Sequence, residues 1–158
     1  MRWLYNDGGR WDAGYRPRHA GDCVCRAIAI ATERPYREVY EELFAEIGWS
    51  PGGRGRKDAD GLVHRRAHNE DALLRRYLAQ RGWGWTPTRR MDTGCTTVRL
   101  QSYELPLGRL IVSVSRHLVA VIDGVINDTG DCSRYGTRRV YGYFAKHIIG
   151  QGFRLIAP

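Results

Sequence analysis

The segment from Val24 to Ala31 constrains the fold more than any other part of this sequence. Drawn as a helix, it is apolar around nearly its whole circumference. Asp22 stands where a helix N-cap is expected, and Arg34-Pro35 is a stop signal. Because such a helix has no broad polar face to turn to water, we expect it to be buried at the centre of the fold.

Two further helices are predicted on either side of a loop. The first is amphipathic and lies at about Tyr36–Ile47; its apolar positions are Val39, Leu43, Phe44 and Ile47. The second lies at about 69–80 and is ended by Gly82. Residues 48–62 between them have the glycines and charges of a loop, and residues 1–21 are expected to form an irregular lead-in.

The second half of the chain has the composition of strands. Six short segments are rich in β-branched and aromatic residues, namely 83–88, 97–100, 110–114, 118–122, 125–128 and 140–144. Helices followed by strands are typical of an α+β fold in which the helices pack on an antiparallel sheet. We expect a single domain over residues 1–158, a usual length for one domain.

Composition bears on location and partners. No stretch approaches the roughly 18 apolar residues of a membrane span, and the first residues lack the apolar run of a signal peptide. We therefore expect a cytoplasmic protein without a membrane partner. The net charge of +8 is interpreted first as a solvated basic surface, and attraction to an acidic protein or peptide substrate is the alternative. Nucleic acid is a weaker hypothesis, because the arginines form no single stripe and accompany no nucleic-acid motif.

The four cysteines do not have the spacing of a metal site. They are Cys23, Cys25, Cys95 and Cys132. No pair is separated by two residues, as zinc ligands commonly are. His64 and His68 have helical spacing, but arginines stand between them, so a solvated segment is the better interpretation. We expect no metal and no cofactor.

Cys23 is the best candidate for a nucleophile. It follows the predicted cap, at the positive end of the buried helix, where the dipole and free N–H groups favour a thiolate. Its i+3 neighbour, Arg26, indicates that this edge of the helix reaches solvent. Cys25 lies about 200° around the helix and has apolar neighbours. Cys25 is therefore interpreted as a core cysteine.

A predicted hairpin supplies the candidate base and acid. Asp123-Gly124 is a strong two-residue turn between the segments 118–122 and 125–128. It pairs Ile122 with Val125, Ala120 with Asn127, Val119 with Asp128 and His117 with Gly130. Strand alternation then puts His117 and Asp128 on one face and Asn127 on the other. Asp128 is expected to orient the imidazole, and Asp131 is the alternative if the turn differs.

The order of these residues resembles that of the papain-like cysteine hydrolase superfamily. The nucleophile helix corresponds to residues 21–32, Gly-Asp-Cys-Val-Cys-Arg-Ala-Ile-Ala-Ile-Ala-Thr, and the histidine and acid follow far downstream. The chain is also similar to small bacteriophage proteins with an Asn-Asp-Gly-Gly-Arg opening, here residues 6–10, and a His-Leu-x-Ala-Val-Ile-Asp-Gly hairpin, here from His117. The resemblance implies a papain-like fold with Cys23, His117 and Asp128 as catalytic residues. In a phage protein it implies the host cytoplasm.

One feature of that superfamily is missing from this sequence. Papain-like enzymes usually carry a glutamine shortly before the nucleophile, which donates to the oxyanion, but residues 15–21 contain no side-chain amide. Asn6, then His19, then Arg18 are the remaining donor candidates.

Two functions follow from this pattern. The leading one is a thiol-dependent hydrolase, a cysteine peptidase or amidase that cleaves a peptide, isopeptide or related amide through an acyl-enzyme on Cys23. The alternative is a papain-like scaffold without turnover, which binds or inhibits a host protein. The alternating pairs Trp83/Trp85 and Tyr141/Tyr143 are interpreted as sheet packing in preference to the lining of a cleft.

Overall fold

The computed structural model describes residues 1–16, 21–49, 72–90 and 92–146, and three helices and six strands lie within them. The helices are α1 (Cys23–Thr32), α2 (Tyr36–Ile47) and α3 (Ala72–Ala79). The strands are β1 (Arg2–Tyr5), β2 (Trp83–Pro87), β3 (Arg109–Val114), β4 (His117–Ile122), β5 (Val125–Asp128) and β6 (Val140–Lys146). The predicted α+β class is confirmed. The loop at 48–62 and the histidines His64 and His68 lie outside the described residues, apart from Gly48 and Trp49.

The six strands form one mixed sheet in the order β1-β5-β4-β3-β6-β2. Every neighbouring pair is antiparallel except β1 and β5, which run parallel. The predictions of an antiparallel sheet and of an irregular lead-in are therefore wrong at β1. All four residues of β1 are exposed, so they show no alternation between apolar and polar. Backbone pairing with β5 and a bond from Trp3 Nε1 to the Asp128 carbonyl, 3.0 Å, hold this edge.

The helices cover one face of the sheet, with α1 against β4. All eight residues from Val24 to Ala31 are buried, which confirms the predicted central helix. The bounds predicted for α2 are also confirmed. Phe44, however, is 43% exposed, while Tyr36 is buried in the core. The ring of Tyr36 can lie in the core because its hydroxyl donates a hydrogen bond to a buried acceptor, the Asp22 carboxylate, at 2.9 Å.

The segment that covers the opposite face of the sheet includes residues 97–100, which were predicted as a strand. Leu100 and Leu105 pack there against Val112, Val119 and Ile126. Residues 97–100 form no strand, and only one isolated bridge joins Arg99 to Arg139. Turns at residues 102–104 change the direction of the chain, so this segment does not continue as an edge strand of the sheet.

The turn between β4 and β5 has the predicted form. Asp123 and Gly124 both have positive φ, 46° and 75°, as a two-residue type I′ hairpin requires. The pairs Ile122–Val125 and Ala120–Asn127 confirm the predicted register. The pairing of β5 with β4 ends at Asn127, so the predicted pairs Val119–Asp128 and His117–Gly130 are not formed, and Asp128 pairs instead with Tyr5 of β1.

The aromatic pair on β2 packs in the sheet as predicted. Trp83 is buried, and the ring of Trp85 lies 4.7 Å from that of Phe144. Within the part of the chain that the structure describes, no helix is long and apolar enough to cross a membrane.

Candidate active site

Cys23 is brought to His117 because α1 begins over the start of β4. Cys23 is the first residue of the helix and His117 is the first of the strand, and both are half-buried. Burial acts to raise the pKa of Cys23. The adjacent imidazole, the backbone N–H of Leu118 and the nearby positive charges outweigh it, so the thiol pKa is lowered.

Asp128 lies against the other side of the imidazole. Its Oδ2 is 2.5 Å from Nε2 of His117, as the strand register predicted. Asn127 instead binds Asn6 and the Val125 carbonyl, and Asp131 accepts the Ser133 N–H. The predicted choice of Asp128 over both neighbours as the partner of the ring is confirmed.

The pKa values of His117 and Asp128 are shifted in opposite directions, as expected for a contact between two charged side chains. Burial acts to lower the pKa of His117, but the bonds to Asp128, Cys132 and Cys23 outweigh it and raise the pKa to about 11. Burial also acts to raise the pKa of Asp128, yet His117 and Arg26 hold it below its usual value. The imidazole is therefore protonated and the carboxylate ionised around neutral pH.

Cys25 has the surroundings of a core residue, as predicted. Its side chain is fully buried, and Sγ donates to the carbonyl of Tyr36 at 3.5 Å. Burial raises the pKa of this thiol. The two cysteines of α1 thus differ in protonation although only one residue separates them.

Asp22 and Arg26 differ from the sequence interpretation. Asp22 stands at the N-cap position but makes no side-chain cap bond, and its fully buried carboxylate turns inward to Arg26, Tyr36 and Arg10. Arg26 was expected at solvent; it is only 7% exposed. It stays buried because Asp22 and Asp128 both bind its guanidinium. The first-turn N–H groups of α1 consequently face the site without a capping carboxylate on them.

The oxyanion donors proposed from the sequence remain predictions. The Asn6 amide donates to Asn127 Oδ1 at 3.3 Å, and its carbonyl oxygen accepts the Gly8 N–H at 2.9 Å. This side chain therefore helps to join β1 to β5. His19 and Arg18 lie outside the described residues.

A second thiol at the site was missed from the sequence. Cys132, half-buried, is hydrogen-bonded to His117, and ligand atoms of His117, Asp128 and Cys132 all lie within 4.8 Å of one another. Ligands of a tetrahedral zinc ion are about 3.3 Å apart, so the 2.5 Å between His117 and Asp128 is a direct hydrogen bond. The only sequence signal for Cys132 was its position four residues after Asp128.

A cleft lies away from these residues. It has a volume of about 950 Å³ and opens beside the C-terminal end of α1, opposite Cys23. Glu33, Arg34, Glu42, Arg81 and Arg109 line it. Several of these charges pair with one another, as Arg34 and Arg81 do with Glu42. Its described lining contains no cysteine or histidine, so it does not share the residues of the Cys23 site.

The described fold and site together define an α+β protein with a cysteine beside a histidine that is hydrogen-bonded to an aspartate. No protein-family model, curated protein or solved structure matches the chain. The function is therefore argued from the chemistry of the site.

Proposed function

We propose that the protein is a thiol-dependent hydrolase that cleaves a peptide, isopeptide or related amide through an acyl-enzyme on Cys23. The observation that carries this proposal is the position of the Cys23 thiol beside His117, whose ring is hydrogen-bonded to Asp128. A thiol beside a base that is itself oriented by a third group is the general arrangement of an activated nucleophile. The resemblance to papain-like enzymes in residue order agrees with it.

The first half-reaction uses the thiolate and the imidazolium as a pair. The sulfur of Cys23 adds to the substrate carbonyl carbon, and the carbonyl π electrons move to oxygen. As the tetrahedral intermediate collapses, the carbon–nitrogen bond breaks and His117 gives its proton to the leaving amine. With Nε2 bound to Asp128, Nδ1 is the nitrogen that remains for this transfer. The product is a thioester on Cys23.

The second half-reaction restores the site. The neutral His117 accepts a proton from water as the water oxygen adds to the thioester carbonyl. The carbon–sulfur bond then breaks, the acid product leaves, and the thiolate–imidazolium pair is regenerated. Asp128 stays ionised throughout and keeps the ring in one orientation, as the buried carboxylate of a catalytic triad does.

The start of α1 is the proposed oxyanion site. The first-turn N–H groups of a helix have no intrahelical acceptor, and Asp22 leaves them without a side-chain cap. Positive potential at this end of α1 favours both the thiolate and the tetrahedral oxyanion. A substrate carbonyl attacked by Cys23 would bring its oxygen to these groups.

A binding function without turnover is the second candidate. It is favoured by the Asn6 amide, which is already bound to Asn127, so the described residues offer no side-chain amide at the thiol. In that case the reactive thiol would remain while deacylation would be absent.

The two candidates separate in one experiment with an activated acyl donor. Wild type, Cys23→Ala and the matched Cys25→Ala are first alkylated with iodoacetamide near neutral pH and read by intact mass. We expect one rapid adduct in wild type and Cys25→Ala, and none in Cys23→Ala. Separate samples of each protein that have not been alkylated are given p-nitrophenyl acetate. Repeated release of p-nitrophenolate with a transient acetyl adduct supports the hydrolase. A stable adduct without turnover supports the binding protein, and equal labelling of both cysteines contradicts both.

A further inference from the structure

We infer that Arg26 is a positioning residue of this site, which fixes the Asp128 carboxylate on His117 and adds positive charge beside Cys23. The inference rests on the proposed function and adds a residue that the cysteine–histidine–acid pattern does not contain.

The bonds of Asp128 show how Arg26 positions it. Oδ1 accepts Nη2 of Arg26 at 2.9 Å and the Thr129 N–H at 2.8 Å. Oδ2 alone is left for His117. A carboxylate can turn about its Cβ–Cγ bond, so two donors on one oxygen fix the rotation that presents the other oxygen to the ring. Without Arg26, only the local Thr129 bond would hold this rotation.

Arg26 is itself held from the opposite side. Its Nη1 binds Oδ1 of Asp22, and Oδ2 of Asp22 accepts the Tyr36 hydroxyl at 2.9 Å and Arg10 at 3.4 Å. Tyr36 belongs to α2 and Arg10 to the N-terminal segment. The guanidinium is therefore fixed between two carboxylates, and its planar fork can meet both at once.

The burial of Arg26 makes its charge effective at the thiol. It stands one helical turn after Cys23, and only 9% of its side chain is exposed. A cation screened little by water acts much more strongly on its neighbours than one at the surface. Its field lowers the pKa of Cys23, after the larger effects of burial and of His117, and it also lowers the pKa of Asp128.

An arginine with a purely structural role would need to form an ion pair only with Asp22. Arg26 and Asp22 are four residues apart on the same stretch of chain, so that pair needs no further partner. The second bond instead joins α1 to the end of β5, across 102 residues of sequence. It ends on the carboxylate that touches His117.

The test measures the pH profile of Cys23 alkylation by iodoacetamide and the pKa of His117 by NMR. The variants are Arg26→Gln, Arg26→Lys and the double variant Asp22→Asn/Arg26→Gln. The double variant removes one buried negative and one buried positive charge together, so folding does not depend on an unpaired carboxylate. Arg109→Gln is the matched control, because Arg109 binds the Ile30 and Ala31 carbonyls at the other end of α1. Circular dichroism checks the fold of each protein.

We expect the inflection of the alkylation profile to move upward by about one pH unit in both Gln variants, which slows labelling about tenfold at pH values below both inflections. Arg26→Lys keeps the charge without the two-sided fork and should recover part of the shift. Arg109→Gln should have the wild-type profile. A folded double variant with the wild-type profile and His117 pKa would overturn the inference.

Two further outcomes would also contradict the positioning role of Arg26. Loss of folding in all Arg26 variants while Arg109→Gln folds would make Arg26 a structural residue and contradict its positioning role. If wild type itself alkylates with the profile of an ordinary cysteine, the proposed function fails first, and the inference fails with it. The wild-type curve thus separates the two failures.

Discussion

The imidazole of His117 is the point at which the polar groups of the site meet. Asp128 is hydrogen-bonded to it, and the thiols of Cys23 and Cys132 lie beside it. Its side chain is 20% exposed, so a substrate group can approach while most of the ring stays out of water. Each partner favours the protonated ring, which in turn stabilises an adjacent thiolate.

Replacement of Asp128 tests this coupling directly. We expect Asp128→Asn to lower the pKa of His117 and to slow iodoacetamide labelling of Cys23 near neutral pH about tenfold or more, since each pKa unit is a factor of ten. Turnover of p-nitrophenyl acetate should fall by orders of magnitude, because an asparagine does not stabilise the imidazolium. Initial rates per folded molecule are the measurement.

The matched variant is Asn127→Ala, one residue away on the same strand. Asn127 is buried and binds Asn6, so this change is expected to reduce stability but to leave the alkylation rate per folded molecule near that of wild type. Equal rates in the two variants would contradict the assignment of Asp128.

Cys132 offers a second residue-level prediction. It shares His117 with Cys23, but it lies in a loop and has no helix N-terminus behind it. Cys132→Ala should therefore leave p-nitrophenyl acetate turnover within about threefold of wild type, whereas Cys23→Ala should abolish it. Mass mapping of the acetyl adduct identifies the acylated thiol. An adduct on Cys132 would make that residue the nucleophile instead.

The elements hold the site through a few backbone constraints. The start of α1 must lie over the start of β4, and both depend on packing between the helix and the sheet. Arg109 ties the far end of α1 to β3, with bonds of 2.7 Å and 2.5 Å to the carbonyls of Ala31 and Ile30. These bonds support the C-terminal end of α1 and reach none of Cys23, His117 and Asp128.

Gly142, on β6, leaves no room for a side chain against β2. A Cβ there would stand against the indole of Trp85 and 2.8 Å from the Thr86 carbonyl oxygen. Gly142→Ala should destabilise the protein by about 1–3 kcal/mol, a typical cost of overpacking. Urea unfolding is the measurement. Gly130→Ala, where no atom lies within 4 Å of the added methyl group, should be close to neutral. Equal midpoints would contradict this account of the β2–β6 contact.

For the whole molecule, the His117–Asp128 pair links stability to pH. The folded pKa of His117, about 11, exceeds its ordinary value of 6.5, so its contribution is complete below pH 6.5 and declines as the pH rises towards 11. The pKa of Asp128 is lowered, so its contribution is present above its ordinary value of 3.8 and is lost as the pH falls further. Between about pH 4 and 6.5 both contributions are complete.

We therefore expect Asp128→Asn to lower the Tm most between pH 4 and 6.5, with a difference that shrinks at alkaline pH. The comparison is made in Cys23→Ala protein, so that the thiol adds no titration of its own. Asp92→Asn, an exposed carboxylate paired with Arg90, is the control and should shift the Tm little at any pH. A difference that grows above pH 8 would contradict the assigned direction.

Local patterns were enough to predict the nucleophile helix, α2 and the hairpin with its register. A helix that is apolar all round has only one stable environment, and Asp-Gly accepts the two left-handed conformations of a tight turn. Because side chains alternate along strands, the position of the turn also predicted that Asp128, and not Asn127, contacts His117.

The tertiary structure alone decided where charges and distant segments are placed. β1 pairs with β5 through backbone groups, which leave no pattern in its exposed side chains. Arg26 looks like a surface residue in sequence, because a buried arginine requires two carboxylates that lie 4 and 102 residues away. Cys132 lies in a loop, and the course of that loop brings its thiol close to the imidazole. Pairing across the fold depends on which groups packing brings within hydrogen-bonding distance, and no local propensity contains that information.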